Sequence, residues 1–157
     1  MMVVRLNDQD PLDVAKEEMK RADHLIFVSL KYTRTVDVLK SIVERLVNAF
    51  DSSIIALLDH AVKKKKLESV PALLRQRIDT LKELYPAQEE LHHFCELYLI
   101  LRKIAKARVD RSQEYRRHVT MTAHVDNEQV EVTIDIITDY FEKTKEFVAL
   151  IEKIISS

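Results

Sequence analysis

Apolar residues along the chain recur at spacings of three and four, switch to alternation in one stretch, and then return to helical spacing. Behind Asp10-Pro11, a capping residue followed by a proline suited to the first helical position, Val14, Ala22, Leu25, Ile26 and Leu30 predict a helix that fades near Lys31 to Arg34. Thr35 is placed to cap a second, long helix, with Asp37 in its first turn. Val36, Leu39, Val43, Leu46, Phe50, Ile54, Leu57 and Ala61 draw its stripe, and Ile42, Val47 and Leu58 widen it into the face of a central bundle helix. The lysine run at positions 63–66 ends it in water. Asn48 and Asp51 interrupt this stripe. Asn48 reads as a buried register-fixing residue, and Asp51 as the partner of a cation on another helix.

A third, shorter helix is expected from Ser69 and Pro71 through Leu73, Leu74, Ile78, Leu81 and Leu84. Pro86 stops it, because the residue before a proline avoids helical geometry, and also starts a fourth. The fourth helix runs through Leu91, Phe94, Tyr98, Leu101 and Ala105. The period then changes to two: Val119, Met121, Ala123 and Val125 alternate, a polar loop Asp126-Asn127-Glu128-Gln129 follows, and Val130, Val132 and Ile134 resume the alternation. That pattern predicts a β-hairpin turned by Asp and Asn in place of glycine. A two-stranded hairpin is marginal alone, so it must lie on the helices or pair with a partner. Asp135 is the expected cap of the last helix, whose buried face is Ile136, Ile137, Tyr140, Phe141, Thr144, Phe147, Val148, Ile151 and Ile154. The expected fold is mainly α, a five-helix up-and-down-type bundle with a β-hairpin (about 118–134) inserted before the C-terminal helix, in a single domain spanning 1–157.

Composition narrows the chemistry more than the fold. A chain of 157 residues suits one domain that needs no covalent staple. Glycine is absent, which removes the phosphate-cradling P-loop, the dinucleotide fingerprint and the Gly-x-Ser-x-Gly nucleophile elbow. No cofactor is expected. The formal net charge of −1 gives no overall pull toward nucleic acid or anionic lipid. The single cysteine, Cys95, lies in an apolar helical pattern and reads as a buried reduced thiol, which fits a cytoplasmic location. Met1 to Leu6 lacks the long apolar core of a signal peptide, and no apolar run reaches the 18 or so residues of a membrane span. No membrane partner is expected.

Three constellations hold candidate chemistry. Glu89-x-x-His92, overlapped by Glu90-x-x-His93, has the spacing with which di-iron carboxylate bundles hold metal, but those bundles use the motif twice. Here His24 has Arg21 three residues earlier and His60 has Leu57, so the second half is missing and no metal ligands are assigned. The second is a basic segment, 102–118. Arg102, Lys103, Lys106, Arg108, Arg111, Arg116 and Arg117 stand against only Asp110 and Glu114, with Tyr115 available to stack a base. The lysines at 63–66 would extend this patch if the second and fourth helices ended on the same side. The third is Arg117 followed after six residues by His124: an anion clamp and a general acid–base.

Arg117, a polar His118 and His124 in a helical framework resemble the HEPN superfamily, small all-helical dimers, many of them RNases, with the motif Arg, four to six residues, His. The resemblance implies that Arg117 and His124 face their symmetry mates in a composite, metal-independent ribonuclease site. The alternating pattern argues otherwise, because on a strand residues 117 and 124 have opposite parity and point to opposite faces unless a bulge intervenes. A broader resemblance rests on Arg21-Ala22-Asp23-His24-Leu25 through Val28, Lys31-Tyr32-Thr33-Arg34, Asn48-Ala49-Phe50, Tyr115-Arg116-Arg117 before the hairpin, and Tyr140 with Lys143-Thr144-Lys145 in the last helix. In layout these are similar to a group of small archaeal helical proteins, distantly HEPN-like, and the likeness carries no activity with it. The reading is a non-enzymatic helical module that self-associates as a homodimer and takes an RNA or protein partner on segment 102–118. Its alternatives are the ribonuclease and a metal-binding bundle.

Overall fold

The computed structural model describes residues 9–157, so the apolar stretch Met1 to Leu6 lies outside the described residues. Helix α1 begins where Asp10 accepts the Leu12 N–H at 3.0 Å, with Pro11 in its first turn. It is α-helical over Pro11–His24, widens to a π-helical stretch over Leu25–Ser29, and closes with Leu30–Tyr32. Helix α2 spans Val36–Lys63, capped by the Thr35 hydroxyl on the Val38 N–H at 3.3 Å. Helices α3 (Leu74–Leu84) and α4 (Glu89–Lys106) follow. Strands β1 (Val109–Ser112), β2 (Thr120–Val125) and β3 (Glu128–Val132) precede helix α5 (Ile134–Ser156).

Side-chain pairs fix the directions of the four long helices. Glu18 meets Arg45, so α1 and α2 run antiparallel. Tyr98 and Arg102 meet Asp51, so α4 runs back along α2. Phe27 lies against Phe141 and Lys16 against Glu152, so α5 opposes α1. The result is the expected up-and-down bundle, with short α3 in the crossover and the sheet inserted between α4 and α5. Its centre is an aromatic stack: the Phe50 ring lies 5.2 Å from Tyr98 and 4.6 Å from Phe147, and Phe94 tilts against Phe147 at 5.5 Å. Leu39, Ile42, Leu46, Ile54, Leu57 and Leu58 fill the rest of the α2 face, all fully buried. Each such side chain stabilises the fold by about 1.5–3 kcal/mol.

The structure adds a strand that the period-two pattern did not show. β1 pairs antiparallel with β2 (Val109 opposite Ala123, Ser112 opposite Thr120), and β2 pairs with β3 (Met121 opposite Val132, Val125 opposite Glu128). The hairpin strands β2 and β3 are the centre and one edge of a three-stranded sheet in order β1-β2-β3. Of the β1 residues only Val109 is apolar and none is fully buried, so it carries no alternation. The sheet lies on the helices: Val119, Met121, Ala123 and Val132 are fully buried in the same apolar cluster as α2.

Left-handed backbone normally falls to glycine, and this chain has none. Lys65, Gln113, Tyr115, Asp126 and Asn127 take those positions, with φ between 49° and 65°. At Lys65 the Lys66 N–H bonds back to the Ala61 carbonyl and the Lys65 N–H to Val62, the Schellman closure of α2. Asp126 and Asn127 form a two-residue hairpin turn, tighter than the four-residue loop expected, and Glu128 and Gln129 belong to β3.

Four local expectations are corrected. The cap of α5 is Thr133, which accepts the Ile136 N–H at 3.2 Å, and Asp135 lies in the first turn. Helix α3 starts at Leu74 without a side-chain cap, past Ser69 and Pro71. Helix α4 starts at Glu89, three residues after Pro86. Asn48 is exposed, donating to Glu18 at 3.5 Å, because the polar face of α2 turns there toward the Glu18 carboxylate.

Candidate nucleic-acid interface

Segment 102–118 carries seven cations, but the fold gives them different tasks. Arg102 sits 3.5 Å from Asp51 and packs over the Tyr98 ring at 5.7 Å, three-quarters buried. The Tyr98 hydroxyl donates to the same carboxylate. Burial, then that anionic acceptor, pushes the Tyr98 phenol well above its ordinary range. This is the interhelical pairing anticipated for Asp51, and it turns Arg102 from a surface cation into a core fastener. Lys103 pairs with Asp126 of the hairpin turn at 2.6 Å. Arg111 reaches Asp37 at 2.7 Å and Glu114 at 3.1 Å, tying the end of β1 to the first turn of α2. The Arg111 hydrogen bond holds the Asp37 carboxyl below its usual range.

Lys106, Arg108, Arg116 and Arg117 are exposed, and among the described residues none has a carboxylate within 4 Å. They divide between the two ends of the sheet. Lys106 and Arg108 lie at the Val109 end. Arg116 and Arg117 lie in the loop after Ser112, about 10 Å away along β1.

That loop, 113–119, is the distinctive part. Gln113 and Tyr115 both hold left-handed backbone, at φ 56° and 64°. Each costs about 1–2 kcal/mol for a residue with a Cβ. The Tyr115 N–H donates to the Arg34 carbonyl at 2.7 Å, docking the loop on the turn between α1 and α2. Tyr115 is 73% exposed, and Tyr32, two residues before Arg34, is 84% exposed. Lys31 and Arg34 join the corner without a carboxylate partner among the described residues. Sequence reading assigned Lys31, Tyr32 and Arg34 no site role. The only local sign was an aromatic between two cations at a helix end; the deciding contact spans 81 positions.

The lysines at 63–66 do not extend this surface. Lys64 and Lys66 line a pocket with Gln88 before α4 and Ser157 after α5, at the opposite end of the bundle. Helix α2, about 40 Å long, separates them from the corner.

Within one chain Arg117 and His124 stand at opposite ends of β2: Arg117 in the loop before it, His124 one residue from its far end. His124 Nε2 lies 2.6 Å from Asp110 Oδ2, a diagonal cross-strand pair on the outer face. Glu89 and His92 share the first turn of α4, and no group of three or more His, Cys, Asp or Glu side chains among the described residues is placed to hold a metal. Cys95 is free and buried, and burial pushes its thiol up to about 11. No protein-family model, curated protein or solved structure matches the chain. None of its described helices is long and apolar enough to cross a membrane.

Proposed function

We propose that the protein is a non-enzymatic, cytoplasmic helical module that self-associates and binds RNA through the sheet end of the bundle. The observation that carries this reading is the pair of exposed cations Arg116 and Arg117, without carboxylate partners among the described residues, on the docked loop beside the exposed Tyr115; Lys106 and Arg108 form a second such pair at the other end of the sheet. Phosphate backbones attract such a set, and released counterions drive the association. Arg102, Lys103 and Arg111 build the surface from behind by holding Asp51, Asp126, Asp37 and Glu114. For self-association the support is Phe27 and Val28, 44% and 40% exposed on α1, with the Phe27 ring 6.0 Å from Phe141 of α5. A gel shift that weakens steeply with salt tests the RNA part; RNA affinity indifferent to salt contradicts it. Light scattering at micromolar concentration tests the second part, with a dimer expected and a monomer contradicting it.

The Asp110–His124 pair favours one alternative, the HEPN-like ribonuclease. A carboxylate at 2.6 Å orients an imidazole for acid–base work, and Arg117 would reach it only from a second chain. Cleavage of labelled RNA in EDTA, abolished by His124→Ala, would replace the binding reading with this one. RNA left uncut but shifted in a salt-sensitive way supports binding alone.

A further inference from the structure

We infer that the RNA is single-stranded, and that Tyr115 and Tyr32 form a two-ring stacking platform for its bases. The inference rests on the RNA-binding reading and adds the strand state, a second aromatic and a second segment, 31–34.

Tyr115 and Tyr32 are the two most exposed large apolar side chains of the described residues. They come from positions 83 apart and are brought to one corner because the Tyr115 N–H is fastened to the Arg34 carbonyl. With 2.7 Å between those atoms and two residues of chain from Arg34 to Tyr32, their Cα atoms lie within about 14 Å. Neighbouring bases of one strand fit that reach. The loop accepts two left-handed residues, Gln113 and Tyr115, to dock here, and Tyr115 buries little of its ring in return. Strained backbone that holds an aromatic in water is a pattern that clusters at ligand-binding segments.

The charges around the rings suit the same ligand. Lys31, Arg34, Arg111, Arg116 and Arg117 are opposed at this corner by Asp37 and Glu114, and Arg111 engages both carboxylates. The four other cations remain for phosphates. The outer face of the sheet, by contrast, presents Asp110 with its partner His124, and Ser112, Thr120, Thr122, Gln129 and Glu131, with no lysine or arginine among these strand residues. A duplex laid across the sheet would meet carboxylates. A strand threaded over the corner meets rings and cations, the combination that binds single strands without reading their sequence.

The chain has no tryptophan, so Tyr115→Trp and Tyr32→Trp each introduce a single reporter. Both variants are titrated with a short oligouridylate and with an RNA duplex of the same length at one salt concentration. Quenching of both reporters by the single strand, and not by the duplex, is expected. Tyr32→Leu and Tyr115→Leu should each weaken single-strand affinity about tenfold, while Tyr→Phe at either position keeps it. Circular dichroism confirms that the variants fold. Salt-sensitive binding of both RNAs with silent reporters and unaffected Leu variants would overturn this inference and leave the binding reading standing. No binding of either RNA by the wild-type chain would remove both.

Discussion

Tyr98 and Tyr115 carry the same side chain in opposite settings. Tyr98 is fully buried, stacked on Phe50, its hydroxyl on Asp51 and its ring under Arg102. Tyr115 stands in water on a strained loop, beside Arg116 and Arg117, which have no carboxylate within 4 Å among the described residues. Around Tyr98 the charged groups come matched, because an unmatched charge there would cost several kcal/mol. Around Tyr115 the cations outnumber the acids that meet them, which water permits at little cost. What separates fastener from free cation is whether the fold supplies the counter-charge: Arg102 has Asp51, whereas Arg116 and Arg117 have no carboxylate within 4 Å among the described residues.

Changes in the buried region should be felt most in stability. Phe50→Ala removes the ring shared by Tyr98 and Phe147 and should cost about 3–5 kcal/mol, read from urea unfolding. Asp51→Ala leaves the Tyr98 hydroxyl and Arg102 without their acceptor, at about 1–3 kcal/mol. A loss no larger than that of an exposed substitution would break the contrast. The pH dependence follows from the raised Tyr98 pKa. Its folded form holds the proton more tightly than the unfolded chain. The stabilisation is therefore fully present below the ordinary tyrosine pKa near 10 and is lost as pH rises beyond it. Thermal melts from pH 8 to 11 should show Tyr98→Phe losing less stability over the alkaline range than wild type.

A smaller effect sharpens the same contrast by reactivity. With its thiol pushed up to about 11 by burial, Cys95 should react with a disulfide reagent at pH 8 only as fast as the chain unfolds. Immediate labelling of native protein would show the core open. Smallest in stability should be Arg116→Gln, which leaves the urea midpoint unchanged, whereas Arg102→Gln lowers it.

The bundle was legible because helix periodicity and caps are local. Thr35, Asp10 and the α2 stripe declare themselves within a few positions, and alternation exposed β2 and β3. Strand β1 was not legible: its VDRS segment earns its place by pairing with β2, a contact that leaves no pattern in its own residues. The candidate site was half legible. The cations of 102–118 could be counted, but which ones Asp51, Asp126 and Asp37 would occupy depends on helix directions that periodicity does not contain. Tyr32 and Arg34 were invisible as site residues for the same reason.

On the proposed function, the unmatched cations, and not the matched ones, hold RNA. This is tested most directly by measuring RNA affinity at two salt concentrations for wild type, Arg116→Gln/Arg117→Gln and Arg102→Gln. The double variant should bind more weakly and with a salt slope shallower by about two, while Arg102→Gln should bind as wild type once folded. Equal losses in both variants, or an unchanged slope in the double variant, would contradict it.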